Sequence, residues 1–359
     1  KICNSILESQ KSDYQNLIND NPFMKYDVLA ALESSGCATE RTGWVPNHIL
    51  NINESGKMDS FTPAYLKYHS FGEFVFDHVW VDFYNQIKFK YYPKLLIAIP
   101  FTPVRSMKIL NSGNRIFKNN QIIKNIKHFL DENNISSAHF NFIQGDEINH
   151  LQKENFIPRV SQQYIWKNNN YSTFDDFLNT LTSRKRKMIN KERKSIKSSG
   201  ISIEWVDGKS ISEEQIDIFY TFYLDTCNRK WGNAYLNIDF FENIISNMPD
   251  NIMLMLAKKD TSTIGASLHL KSKNTLYGRY WGANGYYKFL HYELCYYQAI
   301  EFAIKYNLDI KQVIETDKDE LPILEKGVLI NSKIFDGMKS DSATAQIISE
   351  LIKLKLGEE

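Results

Sequence analysis

The chain reads as an α+β protein of mixed α/β type, built from two tandem domains. Three observations predict this. Short strand-like and helix-like runs alternate through both halves, a polar, asparagine-rich stretch (Asn168–Ser172) interrupts them near the middle, and the runs on either side follow a similar order. A length of 359 residues suits two domains, and 43% hydrophobic residues are enough to build their cores. The boundaries are therefore placed at 1–167 and 168–359.

In the first half, Met24–Ser34 carries Val28, Leu29 and Leu32 on one face, with Gly36 just past its end, and predicts a helix. His48–Ile52 and Phe61–Tyr68 are strand-like and are joined through turn-forming residues over Asn53–Lys57. Phe74–Val81 is expected as a further strand. Lys94–Pro100 is a nearly continuous apolar run bounded by prolines, the pattern of a strand buried on both faces. Ile116–Leu130 is an amphipathic helix, Ser137–Phe142 a strand, and Tyr164–Trp166 closes the half.

The second half opens with Thr173 and Asp176 at helix-start spacing, and one helix is expected from there to about Lys197, stopped by Gly200. Strand Ile201–Val206 follows, then helices near Glu213–Thr226 and Ile238–Asn247. Ile252–Lys258, Thr263–Leu270 and Leu276–Gly282 predict three antiparallel strands, Leu290–Tyr306 a long helix, Ile310–Glu315 a strand, and Thr344–Leu356 a terminal amphipathic helix.

Lys+Arg 43 against Asp+Glu 42 leaves a net charge of +1, so any charged partner must be met by a local patch. Cys3, Cys37, Cys227 and Cys295 are far apart and lack a CxxC, which points to a reducing compartment without disulfides or a zinc cluster. No apolar run is long enough to span a bilayer. The expected location is cytoplasmic, with an upstream targeting segment allowed for because the first residue is Lys1. No HExxH, GxSxG or Gly-rich phosphate loop is present, and the histidines have no ligand spacing. No metal and no permanently bound cofactor are expected.

Three constellations stand out. Residues 184–197 hold eight cations (among them Arg184, Lys185, Arg186, Lys187 and Arg193) and one acid, an array suited to phosphates; most charge runs are solvated helix faces, but phosphate binding is placed slightly ahead because the rest of the chain is balanced. Tyr277-Gly278-Arg279-Tyr280-Trp281-Gly282 reads as a strand that alternates Tyr277, Arg279 and Trp281 with the other three residues. It leads into a helix in which Glu293 and Tyr297, one turn apart, form a candidate proton-handling pair, with His291 beside them as a tying or capping residue. Arg229-Lys230-Trp231-Gly232 could hold a carboxylate or phosphate by charge and a ring by stacking, or equally be a loop anchored by one tryptophan. In the first half, Asp77 lies near Trp80 ahead of the buried strand.

Several of these blocks fit one family. Asn21-Pro22-Phe23 with Ala30–Gly36, Tyr65-Leu66-Lys67 with Gly72–Asp77, and Tyr91–Leu95 through Pro100–Pro103 are followed by Phe174–Leu178 and Ser183–Lys187. Arg229–Gly232, Leu276–Gly282 and His291–Gln298 complete the set. Their order and spacing resemble the N-acyltransferases labelled peptidoglycan biosynthesis/recognition, relatives of the Fem-type aminoacyl-transferases, across nearly the whole chain. The resemblance implies two tandem GNAT-like domains and transfer of an acyl group to an amine. It implies aminoacyl-tRNA or acyl-CoA as co-substrate and a small-molecule, peptide or cell-wall-precursor amine as acceptor. GNAT enzymes hold CoA on a basic, Gly-rich loop, whereas Ala283–Lys288 lacks that pattern, so aminoacyl-tRNA is favoured.

On this reading Arg279 and Tyr280 lie near the carbonyl or donor, and Glu293 and Tyr297 handle the proton. Arg229, Lys230, Trp231, Tyr277, Trp281, Asp77 and His291 contact substrate, and Arg184–Lys187 with Arg193 hold tRNA phosphates. One departure stands against it. Where the family shows a Gly-Ala-Gln-Gly-Glu-His-Lys-like stretch, this chain has the different segment Glu315–Gly327. The rival readings are an acyl-CoA-dependent acyltransferase on a small amine, a GNAT-fold binding protein without activity, and an RNA-binding protein.

Overall fold

A computed structural model describes residues 1–17, 20–75, 77–86, 88–112, 115–145, 147–163, 165–230, 232–313 and 324–332. The elements run β1 (Ile2–Cys3), α1 (Lys11–Gln15), α2 (Tyr26–Ser34), β2 (Val45–Pro46), β3 (His48–Ile52), β4 (Met58–Thr62), β5 (Ala64–Lys67), α3 (His78–Gln86) and β6 (Lys94–Ile97). Then come β7 (Leu110–Asn111), α4 (Arg115–Glu132), β8 (Ser137–Asn141), α5 (Glu147–Lys153), β9 (Ile157–Gln162), β10 (Ile165–Lys167), α6 (Phe174–Thr180), α7 (Ser183–Ser198) and β11 (Ile201–Asp207). The rest are α8 (Glu213–Lys230), α9 (Ile238–Asn247), β12 (Ile252–Lys259), β13 (Ser262–Lys271), β14 (Thr275–Ala283), α10 (Leu290–Tyr292), a π-helical turn (Glu293–Tyr297), α11 (Gln298–Lys305), β15 (Ile310–Val313) and β16 (Leu324–Ser332).

Two compact units carry these elements. The first holds the described residues of Lys1–Leu17 and Ala38–Ser161 and those from Lys326 to the end of β16; the second holds the described residues of Ile18–Cys37 and Gln162–Glu325. The α2 segment goes with the second unit because α2 packs on α9 and Asn237 Nδ2 donates to the Ser35 carbonyl at 2.7 Å. The units divide ahead of β10, not after residue 167, because β10 pairs with β15.

The first unit has a four-stranded sheet, β1-β3-β4-β7, and a six-stranded sheet, β2-β5-β6-β8-β16-β9. Within the latter, β6 and β8 run parallel, Leu95 opposite Ala138 and Ile97 opposite Phe140. Parallel neighbours need a long crossover, and α4 supplies it, burying Ile122, Ile123, Ile126 and Leu130 against Leu95, Ile97 and Phe140. The second unit's sheet, β10-β15-β14-β13-β12-β11, repeats the device. Strands β11 to β14 form an antiparallel meander, β14 and β15 are parallel, and the helical stretch from Leu290 to Lys305 bridges them.

Three expected elements differ. The run from Phe74 is not a strand. Phe74 takes a left-handed φ of 55°, and the Asp77 carbonyl then accepts the Trp80 and Val81 amides, opening α3. The expected strand Phe61–Tyr68 is cut at Pro63, which has no N–H for a ladder, so β4 and β5 enter different sheets. The single helix from Thr173 is two. Thr173 and Asp176 form the expected capping box of α6, but Leu181 is extended and Thr182 caps α7 by accepting the Lys185 amide at 3.4 Å. The expected helix Thr344–Leu356, Tyr164 and the end of the strand at 314–315 lie outside the described residues.

Gly282 allows α8 to lie directly on β14, since a Cβ there would stand 2.1 Å from the Phe222 carbonyl oxygen. Gly282→Ala is expected to lower stability by about 1–3 kcal/mol. Gly285→Ala, where the nearest atom is 3.8 Å away, leaves the denaturant midpoint unchanged.

Candidate functional site

Helix α7 divides its charges between two sides. Arg184, Lys185, Lys187, Lys191, Lys194 and Lys197 are exposed, while Ile189, Glu192 and Ile196 are buried. Arg186 is half-buried and donates to Asn179 Oδ1 at 3.2 Å. Arg193 turns inward, away from the exposed cations of α7. Its Nε and Nη2 donate to Glu293 Oε1 at 3.2 and 3.1 Å, and Nη2 also meets Glu301 Oε2 at 2.6 Å. Its guanidinium lies 4.5 Å over the Phe174 ring. Burial works against the Arg193 charge, but the two carboxylates outweigh it and hold the pKa above the usual arginine value.

The π-helical turn decides the partners of Glu293. The expected pairing of Glu293 with Tyr297 assumed α-helical spacing, which puts residues four apart on one face. A π-helix brings residues five apart together instead. Gln298 Nε2 therefore donates to Glu293 Oε1 at 2.8 Å and is itself held by Trp205 Nε1 at 2.8 Å. Tyr297 instead donates to Glu192 on α7. Burial, followed by the Glu192 carboxylate, raises the Tyr297 pKa. Glu293 is 3% exposed, with Oε1 accepting every bond to Arg193 and Gln298 and Oε2 buried without a hydrogen-bond partner.

Strand β14 presents the other sequence candidates. Its pairing with β13 shifts between His269–Gly278 and Leu268–Tyr280, so Arg279 is the extra residue of a bulge and the strict alternation fails there. Tyr277 packs edge-on against Phe23 at 5.6 Å. Tyr280 is buried against Tyr223 and Phe241, at 5.9 and 5.3 Å. Arg279 is half-buried, 4.9 Å over the Tyr280 ring. Trp281 turns to the other side and meets His291 at 4.8 Å, and His291 also abuts Tyr296 at 5.7 Å. Arg229 pairs with Asp225 and donates to the Ala283 carbonyl at 3.4 Å, where β14 ends. Trp231 and the Lys230 side chain lie outside the described residues.

Asp77 lies in the first unit, within a buried ion network that its sequence neighbourhood did not reveal. Lys94 Nζ donates to Ser70 Oγ at 2.9 Å, Glu73 Oε2 at 2.8 Å and Asp77 Oδ2 at 2.6 Å. Tyr91 and Ser70 also donate to Asp77 Oδ2. Burial disfavours the Asp77 carboxylate, but Lys94 and these donors overcome it and hold the pKa down at about 2. Lys67, opposite Lys94 across the ladder, is fully buried and, among the described residues, donates to the Phe71 carbonyl at 3.2 Å, with its ammonium 3.8 Å over the Trp44 ring. Burial pushes Lys67 down, Lys94 adds to this and Glu73 opposes it, leaving its pKa at about 7.

Glu192, Gln298 and Glu301 in the second unit, and Lys67, Glu73 and Lys94 in the first, were missed in the sequence. Two signals were there to find. Glu192 is the lone acid of the basic run and sits at helical spacing from Ile189 and Ile196, and Lys94 opens an otherwise apolar strand.

Comparison with known proteins places this geometry in context. A family profile described as peptidoglycan biosynthesis/recognition (FemAB-like) matches residues 5–313. FemX superposes with a TM-score of 0.54 at 13% identity, covering 94% of this chain and 98% of that one. The L-PGS structure from Bacillus licheniformis gives 0.52 at 10%, covering 90% and 96%. At such identities the likeness is one of fold, and it is the Fem-like, GNAT-type fold read from the sequence.

A second profile, the editing domain of leucyl-tRNA synthetase, matches residues 297–352. Over 60 residues the chain is 45% identical to the leucine–tRNA ligase of Rickettsia akari (strain Hartford) and 50% to that of Clostridium beijerinckii. These stretches cover 16% of this chain and only 7% of each ligase. The departure at 315–327 thus falls beyond the first match and inside the second.

Two outcomes follow from the ion networks. Because the folded pKa of Lys67 lies below the unfolded value of about 10.4, the unfolded chain binds more protons between these values. Stability therefore rises with pH from about 7 to 10, by at most about 1.4 kcal/mol per pH unit. The advantage of Lys67→Met over the parent is expected to be greatest near pH 6 and to shrink toward pH 10 in denaturant melts. Arg193→Met leaves two carboxylates without their cation and is expected to cost about 1–3 kcal/mol, less than a fully buried pair because the arginine is partly exposed. Adding Glu293→Gln recovers part of that loss in a double-mutant cycle.

Proposed function

The chain belongs to the FemAB-like family of peptidoglycan biosynthesis/recognition proteins, and from that premise we propose that it is an N-acyltransferase carrying an aminoacyl group from aminoacyl-tRNA to an amine. The observation that carries the donor is the exposed row Arg184, Lys187, Lys191, Lys194 and Lys197 on α7, at helical spacing and fixed through Arg193 and Glu192 to the helix that follows β14. Such a row matches phosphates spaced along an acceptor strand. The loop Ala283–Lys288, with Gly285 as its single glycine, lacks the basic, Gly-rich pattern that would seat a CoA diphosphate.

In the reaction the acceptor nitrogen attacks the ester carbonyl, the N–C bond forms, the C–O bond to the ribose breaks, and the amine proton leaves while the ribose oxygen gains one. Arg279 is the proposed donor to the developing oxyanion, held by its contact with Tyr280. Glu293 accepts the amine proton through Oε2, its Oε1 being saturated by Arg193 and Gln298. Tyr297 acts through Glu192 in holding α7. Trp281, His291 and Arg229 are the proposed acceptor contacts, while Tyr277, on the opposite face of β14 against Phe23, supports the strand from behind; the family description favours a cell-wall-precursor amine as acceptor.

A filter-binding and transfer assay with labelled aminoacyl-tRNAs, beside labelled acetyl-CoA over a salt series, tests this. Charged tRNA is expected to bind with affinity falling steeply with salt, and charge-neutralised Arg184–Lys187 to lose about tenfold or more. Binding of CoA alone would replace the donor with acyl-CoA. Binding without product from any donor would identify a fold kept for binding.

A further inference from the structure

One end of the first unit exposes aromatic rings that the acyl-transfer reading does not use. Strands β5 and β6 are antiparallel with Lys67 opposite Lys94, so the loop leaving β5 and the loop entering β6 emerge at the same end of the sheet. Tyr68 is 57% and Phe71 70% exposed on the first loop, and Phe89 is 57% exposed on the second. The loops are tied together, Tyr92 hydroxyl to Ser70 Oγ at 2.8 Å and Lys94 Nζ to Ser70 Oγ at 2.9 Å, over the buried ion network. Phe89 stands between Lys88 and Lys90, both exposed and neither paired with a carboxylate of the described residues. Asp82 and His78 on α3 are the exposed titratable groups nearby in sequence.

Large rings held in water on a braced platform mark a surface that meets something apolar. Lysines flanking such a ring place ammonium groups at headgroup depth while the ring reaches the acyl boundary. We propose that this end of the first unit docks on an anionic lipid surface, with Phe71 and Phe89 entering the boundary and Lys88 and Lys90 meeting headgroup phosphates. The assignment is independent of which acyl donor the second unit uses.

The full chain is sedimented with vesicles of phosphatidylcholine mixed with phosphatidylglycerol, and with phosphatidylcholine alone, over a salt series. Binding is expected on the mixed vesicles and to weaken with salt. It falls about tenfold or more in Phe71→Ser/Phe89→Ser and in Lys88→Gln/Lys90→Gln. Ile52→Ser, an exposed apolar position on the four-stranded sheet, and the charge-neutralised Arg184–Lys187 variant retain it, with folding of every variant checked by circular dichroism. Loss only in the Arg184–Lys187 variant would assign the contact to α7 and overturn the proposal. Absence of binding to either vesicle would also overturn it and leave the patch to a protein partner.

Discussion

Two parallel strands cannot be joined by a tight turn, and most of this molecule's architecture answers that constraint. Among the described residues each unit contains a parallel pair of strands, β6 with β8 and β14 with β15, and each covers the join with a helix. The crossover forces a loop to leave the end of one strand and start a helix above the sheet. In the second unit that loop is residues 284–289. Trp281 precedes it, His291 and Glu293 follow it, and Arg229 reaches the Ala283 carbonyl from α8. The candidate chemistry gathers there because strand, loop and helix must meet there.

The docking of α7 rests on polar as much as apolar contact. Ile189 and Ile196 anchor it, but Glu192 and Arg193 fix its rotation through Tyr297, Glu293 and Glu301. Directional bonds specify one orientation where apolar contact tolerates several. The neighbours Lys191 and Lys194 then point outward as a consequence, so the basic face and the buried carboxylate are set by the same two residues.

Elements whose signals are local were legible. His48–Ile52 and Ile238–Asn247 have the bounds expected from their patterns, and the Thr173–Asp176 capping box forms as its spacing predicts. What failed depended on information the pattern does not carry. Residues 74–81 look like a strand, yet a left-handed Phe74 and the partners waiting for Asp77 turn the chain into α3. In the site, Glu293, Arg279 and the basic run were visible as residue types in telling places. Their partners were not, because Glu192 and Arg193 meet residues about a hundred positions away. The odd segment after 313 was visible as a mismatch, while its resemblance to a leucyl-tRNA synthetase emerged only by comparison.

The π-helical turn carries a consequence for how this chain tolerates change. One residue beyond the α-helical count occupies Glu293–Tyr297, and the helix before it is rotated accordingly against the helix after it. Deleting a single residue there would restore regular spacing and swing Glu293 by about 100° away from Arg193. No side-chain exchange reproduces or repairs such a swing. In a lineage of related sequences the length of this stretch would therefore be held more tightly than the letters that fill it, and a one-residue gap would mark a protein whose buried carboxylate has changed partners.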